Sequence, residues 1–419
     1  MADVLRPVSL VAVVLGALAL TGAAVASPQV QYGIQDDAWL LYGDGTLESR
    51  VAALDALGVD LVRYTVDWSR VERSRGRFDW DSVDPVLNAL RARDIRIVVT
   101  LYGTPGWANG GRTSNWAPTN GSTFGAFAAT AAKRYPWVKD WLIWNEPNQG
   151  RWLRPTTPAA YVTKLLNPAY ASIKRVSAGT RVAGGVTAPR GSTGGVSPVA
   201  WIRGMRATGA RLDAYAHHPY PLSRNETPWT GGCAHCDTIS MATLERLLRE
   251  VRSAWGGAKR VWLTEYGNQT NPPDRLLGVT YAAQARFVGE AGWRAYKAPN
   301  VDMLVQYLYQ DEPALDRWQS GLLTTAGKAK PARAAFMVAT AQAYRIGTTT
   351  AVWGHVRPGK GPQLYVLQQY RNGAWRTVNG AYRTTAGGYL YRYVRAGKGS
   401  KLRVMHTPTR TISPVLTVR

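Results

Sequence analysis

The chain has 419 residues, enough for a large barrel domain with a small appendage. Hydrophobic residues make up 45% of the sequence, as in soluble globular proteins, and no segment after residue 26 has the pattern of a membrane span, which excludes an integral membrane protein. The formal net charge of +24 favours encounters with anionic partners, although a proteome with basic surfaces throughout explains it equally well.

Residues 1–26 have the pattern of a secretory signal peptide. Arg6 supplies a short positive region, and residues 8–20 form an apolar stretch that is too short to span a bilayer comfortably. Small residues at 24–26 precede Ser27, and no cysteine stands there to carry a lipid anchor. We therefore expect a secreted protein, either extracellular or associated with the cell wall.

The next part of the chain alternates short apolar runs with amphipathic segments of helical length. Continuous runs rich in branched residues are typical of strands that are covered on both faces. The runs are residues 30–34, 61–66, 95–101, 137–144, 181–186, 212–216, 260–264 and 301–308, with helical segments that include 47–57, 83–93, 123–135 and 241–254. Eight strand–helix repeats predict an α/β fold, a (β/α)8 TIM barrel over residues 27–347.

The chain changes character after residue 348. Short alternating runs at 363–368, 374–378, 389–395 and 401–406 are separated by turn signals such as Asn372-Gly373. Residues 351–419 contain 12 Lys and Arg and no Asp or Glu, which is half of the net charge. We expect a basic, antiparallel, β-sandwich-like domain over 348–419. The sequence leaves open whether it binds carbohydrate or is only a structural appendage.

The chain has two cysteines, Cys233 and Cys236, spaced as C-x-x-C. No second pair of ligands exists to complete a tetrahedral zinc site. In an exported chain, a disulfide that closes a small loop is therefore the favoured interpretation over a redox or zinc site.

Two acidic residues follow strand runs at the end where barrel enzymes place their active sites. Glu146 closes the fourth run and Glu265 closes the seventh. A closed barrel brings these two strand ends to opposite sides of one bowl. Paired carboxyl groups on either side of a bond are the requirement for glycoside hydrolysis.

Further motifs occur in order along the barrel. They are Arg63 within residues 62–68, the segments 76–80 and 104–108, His218 and Tyr220 in the sixth strand region, and the run 321–332. Together with Asn145-Glu146-Pro147 and Thr264-Glu265, they resemble the motifs of clan A glycoside hydrolases in the cellulase superfamily. The resemblance is greatest to family 39 and to family 5-like exopolysaccharide hydrolases, and it covers about residues 30–345.

The resemblance implies a retaining glycosidase that acts by double displacement. Glu146 would be the acid/base and Glu265 the nucleophile. Asn145 would bind the sugar 2-hydroxyl, and Arg63 and Tyr220 would hold Glu265 ionised and aimed. His218 would contact either the substrate or the acid/base, and Trp107 and Tyr102 are candidates for stacking on a sugar ring.

The chain departs from the clan pattern at the eighth strand. Many members carry a tryptophan there, and here residues 306–312 contain none, so Tyr309, or else Tyr307, is expected to replace it. Asp311 and Glu312 are weaker catalytic candidates because both catalytic roles are already filled. His217 is expected to be structural, since neighbouring residues on a strand face opposite ways.

Two other functions remain open at this stage. A catalytically silent carbohydrate-binding protein could keep the barrel, and a transglycosylase acting on cell-wall or capsular glycan would use the same chemistry. A nucleic-acid partner is not expected for an exported chain. The mechanism requires no metal or cofactor. The expected partner is a polysaccharide or oligosaccharide, possibly anionic, and the sequence does not determine the oligomeric state.

Overall fold

A computed structural model describes residues 29–192, 194–233, 236–357 and 361–419, and the expected signal peptide at 1–26 lies outside these residues. Eight parallel strands close into a barrel in sequence order, with β1 paired to both β2 and β8. They are β1 (Gln31–Gln35), β2 (Leu61–Asp67), β3 (Arg96–Tyr102), β4 (Asp140–Ile143), β5 (Arg181–Thr187), β6 (Ala214–His217), β7 (Arg260–Tyr266) and β8 (Val301–Tyr307). The predicted barrel is confirmed.

The inside of the barrel is a packed core. Inward-facing side chains from the strands form their own buried cluster: Leu61, Val98, Leu142, Ala183, Val186, Ala214, Ala216, Trp262, Met303 and Val305. Such filling is the rule for eight-stranded barrels and leaves no channel. Any site must therefore lie above this core or below it.

Helices surround the strands. They are α1 (Asp37–Tyr42), α2 (Leu47–Leu57), α3 (Trp68–Val71), α4 (Asp84–Ala92), α5 (Gly106–Asn109), α6 (Gly121–Arg134), α7 (Pro158–Tyr161), α8 (Asn167–Val176), α9 (Pro198–Ala207), α10 (Leu244–Trp255), α11 (Tyr281–Lys297) and α12 (Pro331–Met337). Helix α2 has the predicted bounds because the Thr46 side chain caps its first turn and Gly58 ends it in a left-handed conformation. Within the described chain, no helix is both long and apolar enough to cross a bilayer.

A network of ion pairs links the strands at their amino-terminal ends. Arg96 and Arg181 both contact the buried Asp140, and Arg181 and Arg260 both contact Asp302. These five side chains belong to β3, β4, β5, β7 and β8, so they tie strands around most of the barrel floor. The opposite, carboxyl-terminal end remains free to form a site.

Two antiparallel sheets follow the barrel. One has the order β13-β10-β9 and the other β12-β11-β14-β15. Their strands are β9 (Val338–Ile346), β10 (Thr349–Val356), β11 (Leu364–Arg371), β12 (Ala374–Arg383), β13 (Tyr389–Arg395), β14 (Lys401–His406) and β15 (Leu416–Thr417). Strand β9 starts directly after α12, so the sheets begin before residue 348, where the change in composition had suggested the boundary.

Cys233 and Cys236 form a disulfide, which confirms the favoured interpretation of the C-x-x-C spacing. The pair lies in the segment between β6 and a short 3-10 helix at Met241–Thr243.

The carboxyl-terminal sheets pack directly on the barrel through α11 and β9. Gly289 of α11 faces the backbone of Thr340 in β9, and a Cβ atom at residue 289 would overlap the Thr340 carbonyl oxygen. The contact therefore requires glycine, because backbone atoms of a paired strand cannot move aside like the end of a flexible side chain.

We predict that Gly289→Ala lowers the free energy of unfolding by about 1–3 kcal/mol, the usual cost of overpacking. Urea denaturation followed by circular dichroism measures this loss. Gly179→Ala is the matched control, because a Cβ atom there would meet nothing within 4 Å, and it should change stability by less than about 0.5 kcal/mol. Equal effects of the two changes would contradict the tight contact.

Candidate active site

Two buried glutamates face each other above the barrel core. Glu146 follows the end of β4, and Glu265 lies near the end of β7. One carboxylate oxygen of each and one ring nitrogen of His218 all lie within 4.8 Å of one another. The structure thus brings together the two carboxyl groups that the strand-end rule had selected from distant parts of the sequence.

Arg63 connects the strand ends around this pair. From the middle of β2, its fully buried guanidinium donates to Glu265 Oε1 at 2.6 Å and to Gln35 Oε1 at 2.7 Å. It also donates to Asn145 Oδ1 and Thr100 Oγ1, both at 2.8 Å. A guanidinium holds its donors in a rigid planar fork, so these bonds fix both the position and the orientation of their acceptors.

His218 lies between the two carboxyl groups. Its Nδ1 is 3.1 Å from Glu146 Oε1 and 3.4 Å from Glu265 Oε2, and its Nε2 is 3.2 Å from Nη1 of Arg63. The pKa of His218 is lowered to about 3, chiefly by burial; the Glu265 charge opposes this shift and the nearby Arg63 charge adds to it. The ring is therefore neutral near pH 7. A proton on Nδ1 satisfies all three contacts, because Nε2 then accepts from Arg63.

Tyr220 completes the surroundings of Glu265. Its hydroxyl donates to Glu265 Oε2 at 2.9 Å, while its ring packs against Trp318 with centroids 4.6 Å apart. Burial and the Glu265 charge raise the pKa of Tyr220 well above its ordinary value, so the hydroxyl stays a proton donor. Glu265 is thus held by Arg63 on one oxygen and by Tyr220 on the other.

Glu146 has a different environment. Burial raises the pKa of Glu146 above its ordinary value, and the charge of Arg151 opposes this shift. The Arg151 guanidinium lies 3.4 Å from Glu146 Oε2 on a side chain that is 66% exposed. The two carboxyl groups thus have different surroundings: burial raises the pKa of Glu146, whereas Glu265 is paired directly with a guanidinium.

The backbone after β4 is unusual where it presents Glu146. Trp144 and Glu146 have positive φ angles of 73° and 40°, a region that side chains other than glycine rarely adopt. The Asn148 side chain holds this turn by accepting from the Ala188 amide at 2.9 Å and donating to the Val196 carbonyl at 3.0 Å. Strained backbone of this kind concentrates at functional sites, where the surrounding structure maintains it.

The two carboxyl groups line a cavity of about 250 Å³. It contains Asn145 and Tyr102, which the sequence had suggested, and several residues that it had not. Those are Gln35, Asp37, Thr65, Arg151, Trp152 and Trp318. Tyr307, the sequence's alternative to Tyr309, also lines the cavity. Gln35 ends β1 and Asp37 follows it. The rule that places active-site residues at the carboxyl-terminal ends of barrel strands could therefore have found both. No sequence signal marks Trp318, which reaches the cavity from the loop that follows β8.

Two predicted sugar contacts lie outside this cavity. Trp107 donates its indole N–H to the Glu72 carbonyl at 2.8 Å and packs edge-on against Trp68. Tyr309 is buried against Trp39, with ring centroids 4.1 Å apart. Tyr307, two residues earlier, is the eighth-strand tyrosine that reaches the cavity.

His217 is structural, as the sequence indicated. Its ring nitrogens contact Thr187 Oγ1 at 2.8 Å and the Ile239 carbonyl at 3.0 Å, which leaves it fully bonded and facing away from the site.

Glu146, His218 and Glu265 are also close enough to ligate a metal ion. A positive charge is already present beside these groups: Nη1 of Arg63 lies 2.6 Å from Glu265 Oε1 and 3.2 Å from His218 Nε2. A divalent cation bound to the three groups would lie beside a buried guanidinium and be repelled by it. The donor set therefore fits a metal poorly.

Comparison with known proteins finds similarity in structure. No family model matches the sequence, and no curated protein matches it. The chain resembles in structure a family 39 glycoside hydrolase from the gut symbiont Bacteroides cellulosilyticus WH2, with a TM-score of 0.62 and 17% identity over 88% of this chain and 81% of that one.

Two further solved structures are similar. The GH39 enzyme from Xanthomonas axonopodis pv. citri has a TM-score of 0.57 and 16% identity over 94% of this chain and 95% of that one. A GH5_18 protein from Streptomyces cattleya, solved in complex with Manβ1-4GlcNAc, has a TM-score of 0.54 and 18% identity over 73% and 78%. At such low identities the likeness establishes the fold of this chain.

We predict that Arg63→Met lowers the free energy of unfolding by about 3–5 kcal/mol, because it leaves buried polar partners without their common donor. Chemical denaturation at neutral pH measures the change. Arg203→Met is the control. The Arg203 side chain, which forms an ion pair with Glu250, is 68% exposed. Removing this ion pair should lower the free energy of unfolding by less than about 1 kcal/mol. Similar losses for both variants would show that Arg63 does not organise the site.

Proposed function

We propose that this protein is a retaining glycoside hydrolase. The observation that carries the proposal is the buried pair Glu146 and Glu265 at the carboxyl-terminal end of a (β/α)8 barrel. One carboxylate oxygen of Glu146 lies within 4.8 Å of one carboxylate oxygen of Glu265. Retaining glycosidases have carboxyl groups about 5–5.5 Å apart, whereas inverting enzymes leave about 6.5–9.5 Å for a water molecule. The close pair supports double displacement. The solved glycoside hydrolases of the same fold support the reaction class.

In the first step, Glu265 attacks the anomeric carbon and Glu146 protonates the glycosidic oxygen. A bond forms between the Glu265 carboxylate oxygen and the sugar, and the bond to the leaving oxygen breaks with its electron pair. The raised pKa of Glu146 suits it to hold the transferred proton. Arg63 and Tyr220 hold both oxygens of Glu265, so the nucleophile is aimed without freedom to rotate.

In the second step, Glu146 removes a proton from water while the water oxygen attacks the anomeric carbon. The bond from the sugar to Glu265 then breaks, and its carboxylate is restored. While Glu265 is esterified it carries no charge, so the pKa of Glu146 falls and the same group can act as a base. An acceptor sugar in place of water would give transglycosylation by identical chemistry.

Two neutral side chains support these steps. Asn145 is anchored by Arg63 at 2.8 Å and lines the cavity beside Glu146, where its amide can bond the sugar 2-hydroxyl. Such a bond strengthens as positive charge develops on the ring. His218 is neutral and bonded to both carboxyl groups, so we assign it a positioning role.

We also propose that the protein acts outside the cytoplasm. The disulfide between Cys233 and Cys236 fits an oxidising compartment, and the pattern of residues 1–26 fits export.

The first prediction from this proposal concerns stereochemistry. With aryl glycosides or a cleaved oligosaccharide as substrate, proton NMR of the first product should show the anomeric configuration of the substrate. Glu265→Gln should abolish turnover, because no glycosyl-enzyme can form. Glu146→Gln should lower kcat by about 10²–10⁴-fold for poor leaving groups and much less for activated aryl groups. Inversion, or an active Glu265→Gln variant, would overturn double displacement.

The second prediction concerns pH dependence. Activity requires protonated Glu146, so kcat/KM should fall as pH rises through its raised pKa. Arg151 lowers that pKa, and Arg151→Gln should therefore move the alkaline limb of the profile to higher pH. Arg206→Gln removes an exposed positive charge from α9 without touching the cavity, and it should leave the limb in place. A downward shift for Arg151→Gln would contradict Glu146 as the acid.

A further inference from the structure

A second cavity adjoins the first. It has a volume of about 470 Å³ and opens between the loops that follow β3, β4 and β5. Arg151 lines both cavities, so they meet at its guanidinium. We call this second cavity the arginine groove; its described lining residues are Trp116, Gly150, Arg151, Arg154, Pro155, Thr156, Ser192 and Gly194.

The arginine groove is positively charged. Arg151 and Arg154 both line it, and none of its described lining residues is acidic. In the described part of the chain, no carboxylate lies within ion-pair distance of Arg154, whose Nε donates only to the Gly150 carbonyl at 3.2 Å. Outside the lining residues, the Arg112 guanidinium lies 4.2 Å from the centre of the Trp116 ring.

The groove is held by backbone contacts. Trp116 and Arg154 form a parallel bridge, in which the Arg154 amide donates to the Asn115 carbonyl and the Ala117 amide donates to the Arg154 carbonyl, both at 2.8 Å. The loops after β3 and β4 are therefore fixed to each other. Because the main chain makes these bonds, replacing the Arg154 side chain leaves the bridge in place.

The position of the arginine groove relative to Glu146 indicates which part of a substrate enters it. Glu146 turns Oε1 towards His218 and Oε2 towards Arg151, at 3.1 and 3.4 Å. A general acid sits beside the oxygen that it protonates, so the departing sugar extends from Glu146 towards Arg151. The leaving-group side of the substrate thus enters the arginine groove.

Acidic residues line the opposite rim of the barrel mouth. A cavity of about 290 Å³ beside β1 and β8 is lined by Asp36, Asp44, Asp311 and Glu312. Asp311 is paired with Lys330 at 2.7 Å, and burial raises the pKa of Asp36 to about 7. Asp44 and Glu312 have no ion-pair partner among the described residues. Strands β4 and β8 are on opposite sides of an eight-stranded barrel, so the mouth is basic on the leaving-group side and acidic across from it.

We propose that the arginine groove binds an anionic substituent on the sugar that leaves, which makes the substrate an acidic glycan. This inference rests on the proposed glycosidase function and specifies its substrate class. The anion is a carboxylate or a sulfate ester, since a guanidinium bonds both through paired N–H groups. The Trp116 ring supplies an apolar surface for the C–H face of the same sugar.

The test measures binding to an inactive form of the full chain. In the Glu265→Gln background, calorimetry compares tetrasaccharides of alginate, polygalacturonate and hyaluronan with their carboxyl-reduced counterparts, in which a neutral hydroxymethyl group replaces each carboxylate. A sulfated galactan tetrasaccharide and its desulfated form provide the sulfate arm. We expect at least one acidic ligand to bind about tenfold more tightly than its neutral counterpart, with the difference shrinking as salt is raised.

Two added substitutions locate the effect. Arg154→Gln should weaken binding of the acidic ligand about tenfold and leave the neutral one unchanged. Arg206→Gln, which removes the same charge from the outer helix α9, should change neither. Thermal unfolding of each variant shows that the fold is retained.

The outcomes separate this inference from the proposed function. If the wild type hydrolyses glycosides and no acidic ligand is preferred over its neutral counterpart, the acidic-glycan inference is overturned and the glycosidase stands. Loss of the preference in Arg206→Gln as well as in Arg154→Gln would place the effect in overall charge and would also overturn it. Charge-dependent binding at Arg154, with no hydrolysis of any aryl glycoside, would support the groove and contradict the glycosidase.

Discussion

The buried guanidinium of Arg63 is the interaction on which the barrel mouth depends. Removing such a charge from water costs several kcal/mol, and the cost is offset only when its N–H groups are well bonded. Here β1, β3 and β7 and the turn after β4 each supply an acceptor, namely Gln35, Thr100, Glu265 and Asn145. The arginine thereby sets the relative heights of four strand ends.

The electrostatic difference between the two glutamates follows from that arrangement. Glu265 receives the guanidinium of Arg63 directly, whereas Glu146 contacts His218 and the exposed Arg151. Burial is the largest influence on the pKa of Glu146 and raises it, although Arg151 and Arg63 oppose the shift. The neutral ring of His218 contacts both carboxyl groups, and it adds no positive charge that would make their electrostatic surroundings alike. Two chemically identical side chains consequently meet different electrostatic conditions.

The barrel core separates the two ends of the barrel, and the candidate site lies at the carboxyl-terminal end. The inward side chains fill the interior, and Asp140 and Asp302 bind arginines from several strands below it. The two glutamates lie above it, where loops follow the strand ends. There the loops after β3, β4 and β5 form a basic groove, and those after β1 and β8 form an acidic one. Fold supplies the position of the reaction, and loops supply its selectivity.

The sequence by itself determined the eight strands, the carboxyl-terminal sheets, and the placement of Glu146 and Glu265 at strand ends. These features depend on local hydrophobic pattern and on the rule that parallel strands end on one side. Only the tertiary structure brought Trp318, Trp152 and Arg151 into the cavity and moved Trp107 and Tyr309 out of it. Loop paths are set by contacts between segments distant in sequence, such as the bridge between Trp116 and Arg154, and no local pattern encodes them.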